Sequence, residues 1–376
     1  MGKVLEHLGA TVRHENGSLE IDPAGLQDKE APYELVRKMR ASIYVLGPLL
    51  ARFGRAKVSL PGGCAIGNRP IDLHLKGFEA LGATIELDRG YVVAQAPAGG
   101  LRGADCVISG PSGSSVGATC NVLMAAVLAK GKTVLRGTAH EPEVDDLVNF
   151  LNAMGARVQG AGTGVLEIEG VESLRGIDYS VIPDRIEAGT LLMAAAMSGG
   201  DVRVNNCRPS HMKAQLEVMM EMGVEIEAGP DWLRARRHGP LRPVSLRTLP
   251  HPGFPTDMQA QFLAALCLAE GESTVTETIY PDRFMHVAEL NRMGARVTLA
   301  HATAVVRGIP RFTGATVMAS DLRASAALVL AGIAAEGETE ILRIYHLDRG
   351  YEKMENKFKQ LGADIERVSY ERSPVS

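Results

Sequence analysis

The side chains in this sequence best suited to chemistry are a thiol, a carboxylate and a set of arginines. The thiol is Cys64, in Pro61-Gly-Gly-Cys64-Ala-Ile-Gly-Asn-Arg69-Pro70. Proline and two glycines rule out a helix or strand interior, so the cysteine belongs to a hinged loop. A thiol there can deliver a proton or attack an electrophile, and nearby arginines favour its thiolate. The carboxylate is Asp257, in Phe254-Pro-Thr-Asp257-Met-Gln-Ala-Gln. It reads either as an ordinary first-turn acid or, set among arginines, as a general base that they keep ionised. The guanidinium groups of Arg40, Arg69, Arg185, Arg283, Arg323 and Arg349 suit phosphate or carboxylate. For any one of them alone, a surface ion pair is the simpler reading.

What lifts these residues above that reading is an internal repeat. Leu8-Gly9-Ala10, Leu81-Gly82-Ala83, Met154-Gly155-Ala156, Met222-Gly223-Val224, Met293-Gly294-Ala295 and Leu361-Gly362-Ala363 place glycines 73, 73, 68, 71 and 68 residues apart. An amphipathic helical pattern such as Val144–Met154 precedes each of the last five, and an alternating strand such as Ala83–Leu87 follows. The glycine fits the position just past a helix end, where positive φ is cheap. Further upstream lies a more apolar helix, as at 118–130, 188–197, 258–269 and 324–335, each feeding a strand such as Thr133–Leu135. Six α+β units of about 70 residues predict two domains of three units, 1–181 and 182–376. Only eight residues precede Gly9, so the first unit is expected to lack its first helix and strand, roughly 30 or more residues of a complete version.

Aligned on their glycines, the units place Arg40, Gly117, Arg185, Asp257 and Arg323 at the starts of the apolar helices, 37 to 42 residues upstream. Helix starts point unpaired N–H groups and a positive dipole outward. If the units pack about pseudo-three-fold axes, the starts converge, and two facing domains make a cleft lined by anion-binding groups. A second set lies in the loops before the next helix: Cys64 and Arg69, 18 and 13 residues before Gly82; Arg283, 11 before Gly294; Arg349, 13 before Gly362. In Asp282-Arg283 and Asp348-Arg349 the aspartate is positioned to lock its neighbour. His140-Glu-Pro142-Glu-x-Asp-Asp looks like a metal cluster, but Pro142 and the acids better fit a helix start.

The rest bounds the class. Aromatics make up 5% of residues, so the core must come from Ala, Val, Leu, Ile and Met. A net charge of −4 gives no general reason to expect nucleic acid, and no apolar run is long enough for a membrane span. Five cysteines without a CxxC or zinc spacing read as reduced thiols of a cytoplasmic protein. Cys106, Cys120 and Cys267 lie in apolar runs and read as core; Cys207 is ambiguous.

The six-fold unit, the Cys64 loop, the Asp257 stretch, Asp321-Leu-Arg323-Ala-Ser and Asp348-Arg349-Gly-Tyr together resemble the UDP-N-acetylglucosamine enolpyruvyl transferases, over essentially the whole chain. The sister shikimate-pathway enolpyruvyl transferases share the fold and lack the cysteine loop. The resemblance implies two inside-out α/β barrels, with transfer of the enolpyruvyl group of phosphoenolpyruvate to the sugar 3′-hydroxyl and release of phosphate. It implies Cys64 as general acid, Asp257 as acceptor of the hydroxyl proton and Arg349 as catalytic. It implies phosphoenolpyruvate on Arg40, Arg69, Arg323 and Arg349, supported by Arg283. The sugar nucleotide falls to Arg69, Pro70, Ile71, Asp72, Leu73, Ser115, Val116, Gly117 and Ile279. No metal or organic cofactor is implied, and the partners are the two small molecules, with no nucleic acid or membrane and a monomeric chain. The family's Lys-Asn pair would fall before Met1, and Gly113-Ser114 stand where some members carry a lysine. A catalytically inactive paralogue that binds a UDP-sugar and transfer to a shikimate-type acceptor are the competing readings.

Overall fold

All six signature glycines turn the chain with positive φ: 106° at Gly9, 90° at Gly82, 105° at Gly155, 93° at Gly223, 91° at Gly294 and 95° at Gly362. A side chain at these angles is strained, which is why glycine recurs there. The computed structural model describes residues 1–15, 17–27, 30–36, 40–60, 71–111 and 113–369. At each turn the residue after the glycine donates its N–H back into the helix, as from Ala83 to Phe78 O and from Ala295 to Leu290 O, both at 3.0 Å. Around Gly82 and Gly294 the flanking residues are core: Leu81 and Met293 have no exposed surface, and Ala83 and Ala295 are buried. There the three-letter signature is an apolar plug, a left-handed turn and a small buried residue, whereas in the last unit Leu361 is exposed and only the turn is kept.

The strands assemble into a recurring sheet. Lys132–Arg136 pairs parallel with Asp105–Val107 and antiparallel with Val165–Glu169, which in turn pairs with Arg157–Gln159. Arg55–Ser59 with Glu30–Ala31, Tyr91–Gln95 and Thr84–Asp88 has the same order, as does Glu272–Thr276 with Ser245–Arg247, Thr303–Arg307 and Arg296–Ala300. Alternate residues face inward: Val58 opposes Val92 and Val275 opposes Ala304, all four fully buried.

The apolar helices lie inside these sheets. Val116–Ala126 buries eight of its eleven residues, and Gln259–Leu266 buries all eight. A helix apolar all round cannot face water, so it takes the centre and the sheets take the outside. The more polar helices stay at the surface; Pro142–Ala153 begins with Pro142 at its first turn and buries Val144, Val148 and Leu151. Close packing leaves no room at some helix positions: a Cβ on Gly47 would lie 2.3 Å from Asn121 O. Two structural units are found, residues 1–182 and 183–376. Among the described residues no helix is long and apolar enough to cross a membrane.

Candidate active site

In the second unit, the helices Arg185–Ser198, Gln259–Leu266 and Leu322–Ile333 pack on one another, which brings their starts together. Asp257 lies in the short 3-10 turn Thr256–Met258 that leads into the second of them. Asp184 caps the first by accepting from Ile186 N (2.8 Å) and Glu187 N (3.1 Å). Asp321 caps the third by accepting from Arg323 N (2.9 Å) and Ala324 N (3.1 Å). Aspartate is favoured there because its oxygen satisfies orphan N–H groups and its charge meets the helix dipole.

Asp257 is held by two guanidinium groups. Arg283 Nη1 donates to Oδ1 at 2.7 Å and Arg323 Nη2 to Oδ2 at 3.0 Å. The arginine side chains are only 7% and 11% exposed, whereas that of Asp257 is 40% exposed, so the carboxylate is the accessible member. Burial pushes the Asp257 pKa up, but the charges of Arg323 and Arg283 and their hydrogen bonds outweigh it. The carboxyl is held well below its ordinary range. Arg323 is fixed further by donating to Tyr351 Oη at 3.2 Å, with the tyrosine ring 5.5 Å from its guanidinium carbon. Tyr351 Oη lies 3.0 Å from Thr190 Oγ1 and accepts from Gln261 Nε2 at 3.4 Å. The expected local locks are not what forms. Arg283 pairs with Asp257 rather than Asp282, and Asp348 binds Arg367 through both nitrogens at 3.0 and 2.6 Å. Arg349 ends the 3-10 helix Ile344–Arg349 and is exposed. Ile279 N donates to Glu277 Oε1 at 2.8 Å.

In the first unit, Ser115 caps Val116–Ala126, its Oγ accepting from Ala118 N at 3.2 Å, and Val116 and Gly117 form the first turn. Ile71 precedes the helix Asp72–Ala80, whose first turn holds Asp72 and Leu73. His74 of that helix faces Gly117 so closely that a Cβ there would lie 3.1 Å from Nε2. Asn121 holds this arrangement: Nδ2 donates to Ile43 O at 2.9 Å and lies 3.1 Å from His74 Nδ1, while Oδ1 accepts from Gly47 N at 2.9 Å. Arg40 begins the 3-10 helix Arg40–Val45. Cys64, Arg69 and Pro70 lie outside the described residues. Cys207 is resolved as a core thiol, buried, its Sγ donating to Val204 O at 3.6 Å.

Sequence reasoning brought Asp257, Arg283 and Arg323 to one place and missed Thr190, Thr256, Glu277 and Tyr351 around them. Tyr351 carried a signal, since a tyrosine two residues past Arg349 falls beside the same site.

The chain matches the sequence profile of the family described as EPSP synthase (3-phosphoshikimate 1-carboxyvinyltransferase) over residues 1–358. It is 55% identical over 367 residues to a UDP-N-acetylglucosamine 1-carboxyvinyltransferase of Psychrobacter sp., covering 98% of this chain and 84% of the relative. It is 60% identical over 338 residues to the enzyme of that name from Novosphingobium aromaticivorans, covering 90% and 78%. Among solved structures, the enolpyruvyl transferase NikO from Streptomyces tendae superposes with a TM-score of 0.84 at 28% identity, covering 97% and 86%. An EPSP synthase from Acinetobacter baumannii shares the fold, with a TM-score of 0.71 at 18% identity, covering 98% and 88%.

Proposed function

The chain belongs to the EPSP synthase family of enolpyruvyl transferases, and from that premise we propose that it transfers the enolpyruvyl group of phosphoenolpyruvate to the 3′-hydroxyl of UDP-N-acetylglucosamine. This is the first committed step of peptidoglycan synthesis, in the cytoplasm. The relatives at 55% and 60% identity support the sugar nucleotide as acceptor. The single structural observation that carries the chemistry is Asp257, accessible and held ionised between two buried arginines.

In the reaction the hydroxyl oxygen bonds to C2 of phosphoenolpyruvate while C3 takes a proton. A C3 proton then passes back to the group that supplied it as the bond from C2 to the phosphate oxygen breaks, phosphate leaves, and the vinyl group reforms on the sugar. Two proton-handling groups and a strong anion site are needed. Cys64 supplies the C3 proton, and Asp257 accepts the hydroxyl proton. Being a weak base, Asp257 accepts a hydrogen bond first and the proton only as the C–O bond forms and the hydroxyl becomes acidic. Arg323 and Arg349, with Arg40 and Arg69, take the phosphate and carboxylate. Arg283 fixes Asp257. An anion that draws Arg323 away makes Asp257 more basic, so binding of phosphoenolpyruvate arms the base.

The sugar nucleotide takes the first-unit residues. The N–H groups of Ser115, Val116 and Gly117 at a helix start suit a diphosphate. Arg69, Pro70, Ile71, Asp72 and Leu73 take the uridine side, and Ile279 packs on the sugar. The chain acts on these small molecules as a monomer.

The test is product analysis. Purified chain with phosphoenolpyruvate is offered UDP-N-acetylglucosamine or shikimate 3-phosphate, and products are weighed by mass spectrometry. The enolpyruvyl ether of the sugar nucleotide is expected. The enolpyruvyl ether of shikimate 3-phosphate instead would transfer the reading to the sister reaction.

A further inference from the structure

Glu277 follows the strand Glu272–Thr276, is fully buried, and is surrounded by hydrogen-bond donors. Its Oε1 accepts from Thr248 Oγ1 at 2.7 Å, Ile279 N at 2.8 Å and Tyr280 N at 2.9 Å. Its Oε2 accepts from Thr256 Oγ1 at 2.8 Å. The directions are fixed. Thr256 Oγ1 also receives Arg283 Nη1 at 3.0 Å, and a guanidinium cannot accept, so the threonine proton must point at Glu277. Thr248 Oγ1 receives Thr278 N at 2.9 Å, so its proton points there too. The same Arg283 Nη1 binds Asp257 Oδ1.

A carboxylate is costly to bury, and space alone would be filled more cheaply by an apolar side chain. What the carboxylate does is join two short segments. Through Thr256 it grips the turn carrying Asp257, and through Ile279 N and Tyr280 N it grips the loop that the functional reading places against the sugar. We propose that Glu277 is a positioning residue that sets Asp257 at its working distance from the acceptor hydroxyl, acting through Thr256. This rests on Asp257 being the proton acceptor.

Glutamine nearly matches glutamate in shape but cannot replace it. With its carbonyl at the Oε1 place, its NH2 meets the Thr256 hydroxyl, whose proton then loses its acceptor. Reversed, its NH2 meets three donors. A misplacement of the base by about 1 Å costs on the order of 100-fold in rate.

The experiment measures kcat, and KM for both substrates, in the full chain carrying Glu277→Gln, Thr256→Val, Thr256→Ser, Asp257→Asn or the pair Glu277→Gln/Thr256→Val. Glu277→Gln and Thr256→Val are each expected to lower kcat about 10- to 100-fold, with KM for phosphoenolpyruvate within about threefold. Thr256→Ser recovers most of the rate lost in Thr256→Val, and the paired variant is no slower than the worse single one, because both break one chain of bonds. If Glu277→Gln does not fold, the valine and serine variants of Thr256 carry the test. A kcat within about twofold of the unaltered chain in both Glu277→Gln and Thr256→Val, while Asp257→Asn lowers turnover about 10²-fold or more, overturns the positioning role alone. Full turnover in Asp257→Asn overturns the functional reading on which it rests.

Discussion

Replacing Asp257 by asparagine removes one negative charge and almost no volume, and it leaves Arg283 and Arg323 facing each other without their counter-charge. Taking one partner from a buried ion pair costs roughly 3–5 kcal/mol. The Asp257 side chain is 40% exposed, so water screens part of that, and asparagine still offers one accepting oxygen. A loss of about 2 kcal/mol is the reasonable expectation. For a unit of this size each kcal/mol moves Tm by about 2–4 °C, so the variant should melt about 4–8 °C lower. The lost charge also leaves an anion site open. Inorganic phosphate should therefore raise the Tm of Asp257→Asn more than that of the unaltered chain, where the anion competes with the carboxylate. Turnover should fall about 10²–10⁴-fold, the usual worth of a positioned base. Thermal unfolding with and without phosphate, beside a steady-state assay, reads all three. A variant that melts within 1 °C of the unaltered chain, ignores phosphate and turns over normally would refute the argument that this carboxylate is poised by its two arginines.

Three other consequences are open to direct measurement. Cys106, Cys120, Cys207 and Cys267 are buried, and burial pushes the thiols of Cys120 and Cys267 up to about 12, so iodoacetamide at neutral pH should label native protein at Cys64 alone, as should an epoxide such as fosfomycin; label on any of the other four, found by peptide mapping, would contradict this. Ser115→Ala removes a helix cap and should cost about 1 kcal/mol in denaturant unfolding while keeping the backbone N–H groups assigned to the diphosphate, so KM for the sugar nucleotide should stay within a few-fold; an unchanged stability would contradict the cap. His286 is lowered to about 4 by burial, with Arg283 also lowering it and Asp321 opposing, so the native chain keeps it neutral where the unfolded chain takes up a proton. Its contribution is present above about pH 6.5 and is lost as pH falls toward 4, by at most about 1.4 kcal/mol per unit, and His286→Gln should flatten the pH dependence of unfolding over that window.

What was legible in the sequence was whatever depends on a single residue's constraints. A left-handed turn after a helix admits glycine and little else, so six glycines at near-equal spacing announced six helix ends, and every one has positive φ. The recurrence of Asp257 and Arg323 at matched helix starts was legible for the same reason, since equivalent starts of a repeat come together. The sheet order was not, because alternation marks a strand without naming its neighbour. Nor was the partner of Arg283. The adjacent Asp282 suggested a local lock, but the fold brings Asp257, 26 positions away, to 2.7 Å. Glu277 shows the limit most plainly. In Thr276-Glu277-Thr278 nothing separates a fully buried acid from a surface one, and only the packing of four donors around it reveals the difference.

The central claim is a transfer that needs both substrates and the thiol, and phosphate release by the purified chain tests it most directly. With phosphoenolpyruvate and UDP-N-acetylglucosamine together, release should be continuous. It should vanish when the sugar nucleotide is omitted, and vanish again in Cys64→Ala. A folded chain that binds the sugar nucleotide yet releases no phosphate, or one whose release is indifferent to Cys64, would contradict it.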